Sequence, residues 1–222
     1  MNTELLGESD FLSSTSNNGL MKVKQIFIFP PNETSWEKAN FLWYVGTNSF
    51  ETPRSFAFLS GYTRLVLRLS GDELLINHDN SAHSHIVKKN TFYEFAGDWP
   101  STCDVSSPCK DFHVTYKTGE VAVSANVFES KDDDDIVIPL SSRGTCTLLY
   151  NTQGETAEIT YNGNSIQLPV DHVIIFNKDL SFDEPEDEEC ELQMTAKKGS
   201  LARIVCVRFA TDPDALSLST EE

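Results

Sequence analysis

The chain reads as an all-β protein of antiparallel sheets. Three observations predict this: short runs rich in branched and aromatic residues recur nearly throughout, turn-forming clusters separate them, and only one short segment has helical character. Strands at this spacing, without intervening helices, assemble as a sandwich, jelly roll or barrel.

The elements follow in chain order. QIFIF (25–29), FLWYV (41–45), TRLVLRLS (63–70), ELLIN (73–77) and FYEF (92–95) are strand-like runs in the first half. DFHVTY (111–116), VAVSANVF (121–128), CTLLY (146–150), AEITY (157–161), HVIIF (172–176) and LARIVCVRF (201–209) follow in the second. SGD, GDWPS, KTGE, NTQGE and YNGNS between them supply Gly and Asn for positive φ. TSWEKAN (34–40) is the single helical turn, with Thr34 or Ser35 as N-cap.

In TRLVLRLS, Leu65, Leu67 and Leu69 share one strand face, and Arg64, Val66 and Arg68 share the other. The all-leucine face is the one expected to fill the core, which points Arg64 away from it. ESKDDDDIVIP (129–139) holds four consecutive aspartates, which repel one another and favour a solvated loop; it is the expected joint between two halves. DEPEDEE (183–189) reads as a second acidic loop. Neither wraps a point as a calcium loop does. The predicted organisation is a flexible N-terminus over 1–15, a first half over 16–130, a second over 131–210 with strands open to exchange between them, and a flexible tail over 211–222.

With 17 basic against 34 acidic side chains, the net charge is −17. Such a field repels nucleic-acid backbones and anionic lipid surfaces, so neither is an expected partner; a local positive pocket can still hold a small anion. The five cysteines (Cys103, Cys109, Cys146, Cys190, Cys206) are odd in number, scattered, and without a Cys-x-x-Cys pair, which argues against a zinc ribbon and a disulfide scaffold. MNTELLGESDF lacks the basic and apolar regions of an export signal, and no apolar run nears the ~20 residues of a membrane helix. The expectation is a reduced, cytoplasmic protein.

From SFAFLSGYTRLVLRLSGDELL (55–75) through YEFAGDWPSTC (93–103) to PCKDFHV (108–114), the order of landmarks resembles the HutD family. The matching positions are Gly61 and Arg64, then Gly71, then Phe95, Gly97 and Asp98, then Pro108, Asp111 and Phe112. SNNGLMKVKQI (16–26) sits where the family carries a Trp-Lys-Asn-Gly-Gly-Gly segment; only Asn18, Gly19 and the basic Lys24 match there. Ser16 stands for the Trp, Leu20 and Met21 for glycines, Gln25 for a Glu, and His113 for the usual Asn. The resemblance spans roughly 16–209 and implies a bicupin, two cupin-type antiparallel β-barrels or jelly-roll sandwiches in one chain. It also implies an association with histidine utilisation, as a protein that senses or buffers a pathway intermediate rather than a catalyst.

Arg64 is the leading site residue, because a planar guanidinium grips a carboxylate bidentately; its bland alternative is a surface or structural ion pair. The Asn18–Gly19 turn would add backbone amides, although Leu20 and Met21 would obstruct an anion's approach. Asp98 and Asp111 complete the ligand-binding candidates, against a plain reading as turn and strand-end residues.

HDNSAHSH (78–85) places His83 and His85 on one strand face, the spacing of two metal ligands, with His78 or Glu94 as a third. Metal-binding cupins need a Gly before this pair and a Glu soon after it; Asn77, Lys89 and Asn90 occupy those positions. His113 and His172 lie in unrelated contexts, so no metal or other cofactor is expected. Gly-x-Ser-x-Gly, phosphate loops and dinucleotide motifs do not occur. Trp36, Trp43 and Trp99 read as core or rim packing.

The expected function is therefore non-enzymatic binding of a small anionic metabolite, as a monomer or a homodimer. The alternatives are a metal-dependent cupin isomerase or dioxygenase using His83 and His85, and an interaction module without ligand.

Overall fold

The computed structural model describes residues 2–16, 19–31, 40–79, 82–132, 134–140, 146–177, 190–196 and 199–211. Among these there is no α-helix, only a single 3-10 turn at Glu8–Asp10. The helical turn expected over 34–40 falls, but for Asn40, outside the described residues, as do Trp36, the acidic loop 183–189 and the tail beyond Thr211.

The chain forms two compact units, a continuous one over Phe11–Gly119 and a second made of Met1–Asp10 with Glu120–Glu222. The first strand, β1 (Asn2–Leu6), belongs to the second unit. The continuous unit holds β2 (Leu12–Thr15), β3 (Met21–Phe29), β4 (Trp43–Phe50), β5 (Arg54–Ser55), β6 (Tyr62–Ser70), β7 (Leu74–His78), β8 (His83–Ile86), β9 (Tyr93–Ala96), β10 (Ser101–Val105) and β11 (Cys109–Lys117). They make two sheets, in the orders β2-β3-β4-β11-β6-β9 and β5-β10-β7-β8. Val66, Phe95 and Cys109 from the first and Leu74, Ile76 and Cys103 from the second share one core.

The second unit repeats this plan with β12 (Ala122–Lys131), β13 (Asp135–Leu140), β14 (Cys146–Gly154), β15 (Ala157–Tyr161), β16 (Asn164–Leu168), β17 (Val173–Asn177), β18 (Cys190–Ala196) and β19 (Leu201–Ala210). Its sheets run β1-β17-β14-β19-β12 and β13-β18-β15-β16. Leu149, Ile174, Phe176 and Ile204 meet Ile138, Ile159, Leu192 and Met194 between them. In both units the sheets face one another as open sandwiches; the described edge strands of facing sheets do not hydrogen-bond, so neither closes into a barrel.

Two boundaries differ from the sequence expectation. The N-terminal residues are not loose: Asn2–Leu6 pair with Val173–Asn177 along their whole length. The division also falls at Gly119–Glu120, not in the aspartate run. All ten residues of β12 pair with β19, from Ala122–Ala210 to Lys131–Leu201, and this ladder draws 122–131 into the second unit. Within the aspartate run, Asp132 turns with φ of 54°, the Asp134 amide donates to the Lys131 carbonyl at 2.9 Å, and Asp135 opens β13.

The alternating strand β6 holds the main surprise. Leu65 and Leu67 are buried, but so are Arg64 and Val66 on the opposite face. Val66 joins the sandwich core, so Arg64 faces inward with it. The leucine face lies on the outer side of the sheet beside Phe112, against whose ring Phe92 packs edge-on at 6.2 Å. Alternation separates two faces but cannot rank them when both are covered.

Candidate functional site

Period-two geometry sends one set of side chains from each central strand into the continuous unit: Tyr44 and Asn48 from β4, Arg64 and Val66 from β6, His113 and Thr115 from β11. Met21 and Val23 of β3 flank them. Arg54, Phe56, Ala57 and Leu59, in and after β5, line the opposite side of the pocket these groups enclose, about 160 Å3 in volume. That volume suits a small molecule, since an apolar cavity of roughly 150 Å3 holds benzene.

Asp111 anchors the polar wall. It is fully buried and accepts from Arg54 Nη2 at 2.6 Å, His113 Nδ1 at 3.1 Å, and Asn48 Nδ2 at 3.0 Å. The Asn48 backbone amide adds a fourth donor at 3.3 Å. Burial by itself would raise the Asp111 pKa, but the Arg54 charge and the His113 and Asn48 hydrogen bonds outweigh it and hold the carboxyl below its ordinary value of 3.8. Asp111 is therefore ionised and saturated with donors, a support for the site rather than a ligand contact.

Two guanidiniums converge on Phe56. Arg54 lies 4.6 Å and Arg64 5.4 Å from the ring centroid, and Arg54 also covers Phe50 at 4.5 Å. Arg64 is 7% exposed and donates to the Ala57 carbonyl, and no carboxylate among the described residues pairs with it. The Nε atoms of both arginines are buried without a hydrogen-bond partner. Burial, and then repulsion from Arg54, pull the Arg64 pKa from 12.5 down to about 10. It stays charged at neutral pH. Two arginines against one aspartate leave a net positive pocket inside a chain of charge −17.

The other end of the pocket is polar. His113 Nδ1 lies 3.1 Å from Asp111 Oδ1 and 3.2 Å from Asn48 Nδ2, and no described residue hydrogen-bonds its Nε2. Tyr44 stacks on this ring with centroids 5.4 Å apart. Burial, reinforced by Asp111, raises the Tyr44 pKa and keeps the phenol protonated. Gly46 is packed tightly beside them: a Cβ there would lie 2.7 Å from the Lys24 carbonyl oxygen, 3.0 Å from Tyr44 Oη and 3.1 Å from His113 Nε2.

The expected site residues thus part company. Arg64 and Asp111 come together, one lining the pocket and the other beneath it. Asp98 sits exposed in the turn after β9, outside the pocket. Gly19 lies elsewhere, and its amide already donates to the Ser16 carbonyl at 2.8 Å, so it offers no anion contact. Asn18 is outside the described residues. Composition pointed to none of Arg54, Tyr44 and Asn48. His113 did carry a signal: in Asp-Phe-His, alternation puts 111 and 113 on one face.

The histidine cluster forms the β7–β8 hairpin. His78 is buried, with Nδ1 2.7 Å from Ser101 Oγ and Nε2 2.9 Å from Tyr93 Oη, so both ring nitrogens are engaged. His83 is exposed and His85 stacks on Tyr93 at 3.8 Å. Glu94 accepts from Tyr116 at 3.2 Å instead of turning to them. Among the described residues no three His, Cys, Asp or Glu side chains converge to hold a metal, so the residues present do not fit a cupin metal centre. Cys103, Cys109, Cys146 and Cys206 are buried; their thiols are raised, Cys103 to about 11 and the other three to about 12, in each case mainly by desolvation, far from the thiolate of a nucleophile.

The HutD family model matches residues 9–197 of the chain. Among solved structures, a conserved protein of unknown function from Pseudomonas aeruginosa PAO1 superposes with a TM-score of 0.78 at 16% identity, over 95% of this chain and 100% of that one. HutD from Pseudomonas fluorescens SBW25 gives 0.65 at 13%, over 94% and 98%. A cupin 2 conserved barrel domain protein from Leptotrichia buccalis gives 0.53 at 9%, over 92% and 95%, which extends the likeness to the cupin fold. No curated protein matches the chain.

Proposed function

Because the chain belongs to the HutD family, we propose that it is a cupin-like binding protein for a small organic anion, held in the Phe11–Gly119 unit. The observation that carries this reading is Arg64. A buried guanidinium without a carboxylate partner costs stability, and a ligand carboxylate would supply the missing charge with bidentate geometry. Arg54, tied to Asp111, flanks it and adds field without adding a second uncompensated site.

The overall negative charge works against association at a distance, so selectivity rests on contacts made inside the pocket. Phe41, Phe56, Leu59, Met21 and Val23 offer an apolar lining for the ligand's body. The two units, each a two-sheet sandwich, fit a bicupin plan in which, among the described residues, the continuous one carries this constellation. The family's association suggests acids of histidine breakdown as first probes, and a role in sensing or buffering one of them.

Thermal-shift and calorimetric titration with a panel of such acids tests the reading. Stabilisation by at least one, lost in Arg64→Ala, is the expected outcome. Equal stabilisation of native protein and Arg64→Ala, or no response to any acid, would overturn it.

A further inference from the structure

We propose that a second groove in the Phe11–Gly119 unit, on the far face of the sheet from the Arg64 pocket, binds a small phosphate ester through Lys22 and Lys110. Met21, Val23 and Asn48 line the Arg64 pocket, so alternation turns Lys22 and Ser49 to the other face. The two sites are independent, and neither needs the other's ligand.

The first support is a comparison inside the chain. The central sheets of both units carry the same bulge. In β6, Leu69 is skipped between Arg68, opposite Asp111, and Ser70, opposite Lys110. In β14, Thr152 is skipped between Asn151, opposite Ile204, and Gln153, opposite Arg203. A glycine at positive φ follows each, Gly71 at 97° and Gly154 at 99°. Lys110 and Arg203 are therefore equivalent positions beside equivalent bulges, features that recur next to binding sites. Their flanks differ. Arg203 stands between Glu129 and Gln153; its Nε and Nη2 donate to Glu129 at 3.1 and 2.6 Å, and its Nη1 donates to Gln153. Lys110 stands between Ser49 and Ser70. Where one unit builds in a counter-ion, the other presents two short hydroxyls.

The second support is another cation in the same row. Ser49 pairs with Lys110 on one side and with Lys22 of β3 on the other. Strands lie ~4.8 Å apart, which puts the two lysine backbones ~10 Å apart, a span that extended side chains close above the Ser49 hydroxyl. Lys22 is exposed and forms no ion pair among the described residues. Nor does Glu51, the single carboxylate among the described residues lining the groove, so two cations against one anion leave it positive.

The third is size and field. The groove holds about 490 Å3, within the roughly 300–1,000 Å3 of small-molecule sites and well beyond what a bare ion needs. Leu20, 50% exposed, and Pro108 give an apolar shelf for an organic body, and compact lysine charges suit a phosphate dianion. Residues 11–119 hold ten basic and ten acidic side chains, so the whole charge of −17 lies in the rest of the chain. The local positive groove is not swamped, while that acidic remainder repels a long polyanion and favours a small ester.

Calorimetry at low salt with phenyl phosphate and with inorganic phosphate tests the proposal. Phenyl phosphate should bind at least about fivefold tighter than phosphate, and added salt should weaken both. Ser49→Glu, which supplies the carboxylate that the other unit has, and Lys22→Gln should each weaken phenyl phosphate at least about tenfold. Both positions are exposed, so the variants should unfold within about 0.5 kcal/mol of the native chain. Arg64→Ala should leave this binding unchanged. No binding of either compound, affinity that survives both Ser49→Glu and Lys22→Gln, or its loss in Arg64→Ala would overturn the site. Equal affinity for the two compounds would overturn the ester assignment. Each of these failures leaves the Arg64 pocket to be judged by its own titrations.

Discussion

Arg54 and Arg64 share the ring of Phe56, at 4.6 and 5.4 Å, yet only Arg54 has a carboxylate partner. The pair is an arrangement of like charges that the fold tolerates rather than needs. Its worth lies in what the second guanidinium can bind.

Stability and binding should therefore move in opposite directions in Arg64→Met. For a cation whose folded pKa is lowered, the charged form costs stability at every pH below that value, here about 10. The variant should be more stable than the native chain at neutral pH by about 1 kcal/mol in chemical denaturation. The gap should narrow as pH rises through 10, and binding of small acids should be lost throughout.

Asp111→Asn should act in the reverse sense. The group's folded pKa is depressed, so its contribution is fully present above the unfolded value of 3.8 and disappears as pH falls through the folded one. Removing the carboxylate leaves Arg54 buried and unpaired, at a cost of about 3 kcal/mol near neutrality. Urea denaturation from pH 7 down to pH 3 should show the two proteins converging toward the acid end.

The hairpin histidines divide into one structural residue and two peripheral ones. His78→Ala should lower stability by about 1–3 kcal/mol, since Ser101 and Tyr93 lose their partner. Burial lowers the His78 pKa, so the native contribution holds above 6.5 and is lost as pH drops below it. Replacing His83 and His85 together by Ala should change stability by less than about 0.5 kcal/mol, and elemental analysis of untagged protein should give the same metal content before and after.

Gly46→Ala probes the close approach of β3 to β4. Its Cβ would lie 2.7 Å from the Lys24 backbone carbonyl, a clash that flexible side chains cannot absorb. A loss of about 1–3 kcal/mol in thermal or chemical unfolding is expected.

Strand content was legible because apolar runs and Gly–Asn turns obey local rules: QIFIF, TRLVLRLS, AEITY and LARIVCVRF all lie within strands. The direction of Arg64 was not, because β6 is buried on both faces and a leucine stripe looks like core whichever way it points. Arg54 sits on a two-residue strand, too short to show a period. NSIQL and CELQMTA alternate polar with apolar residues too weakly to stand out, and strands β16 and β18 form through their partners. His113 is the instructive case. Read as a lone histidine it has no context; read as the third residue of Asp-Phe-His on a strand, it has one two positions away.

The pairing of β1 with β17 makes the Phe11–Gly119 unit an insertion within the other. Everything that unit needs lies in one uninterrupted stretch, so it can mature on its own. The host sheet cannot seat its edge until Val173–Asn177 exists and Asn2–Leu6 has been brought back to it. Leu6 then meets Val173 with the entire inserted body held in the closed loop. Assembly is thereby ordered by connectivity: the part that carries the pocket is free to form early, and the part that encloses it in sequence is obliged to finish late.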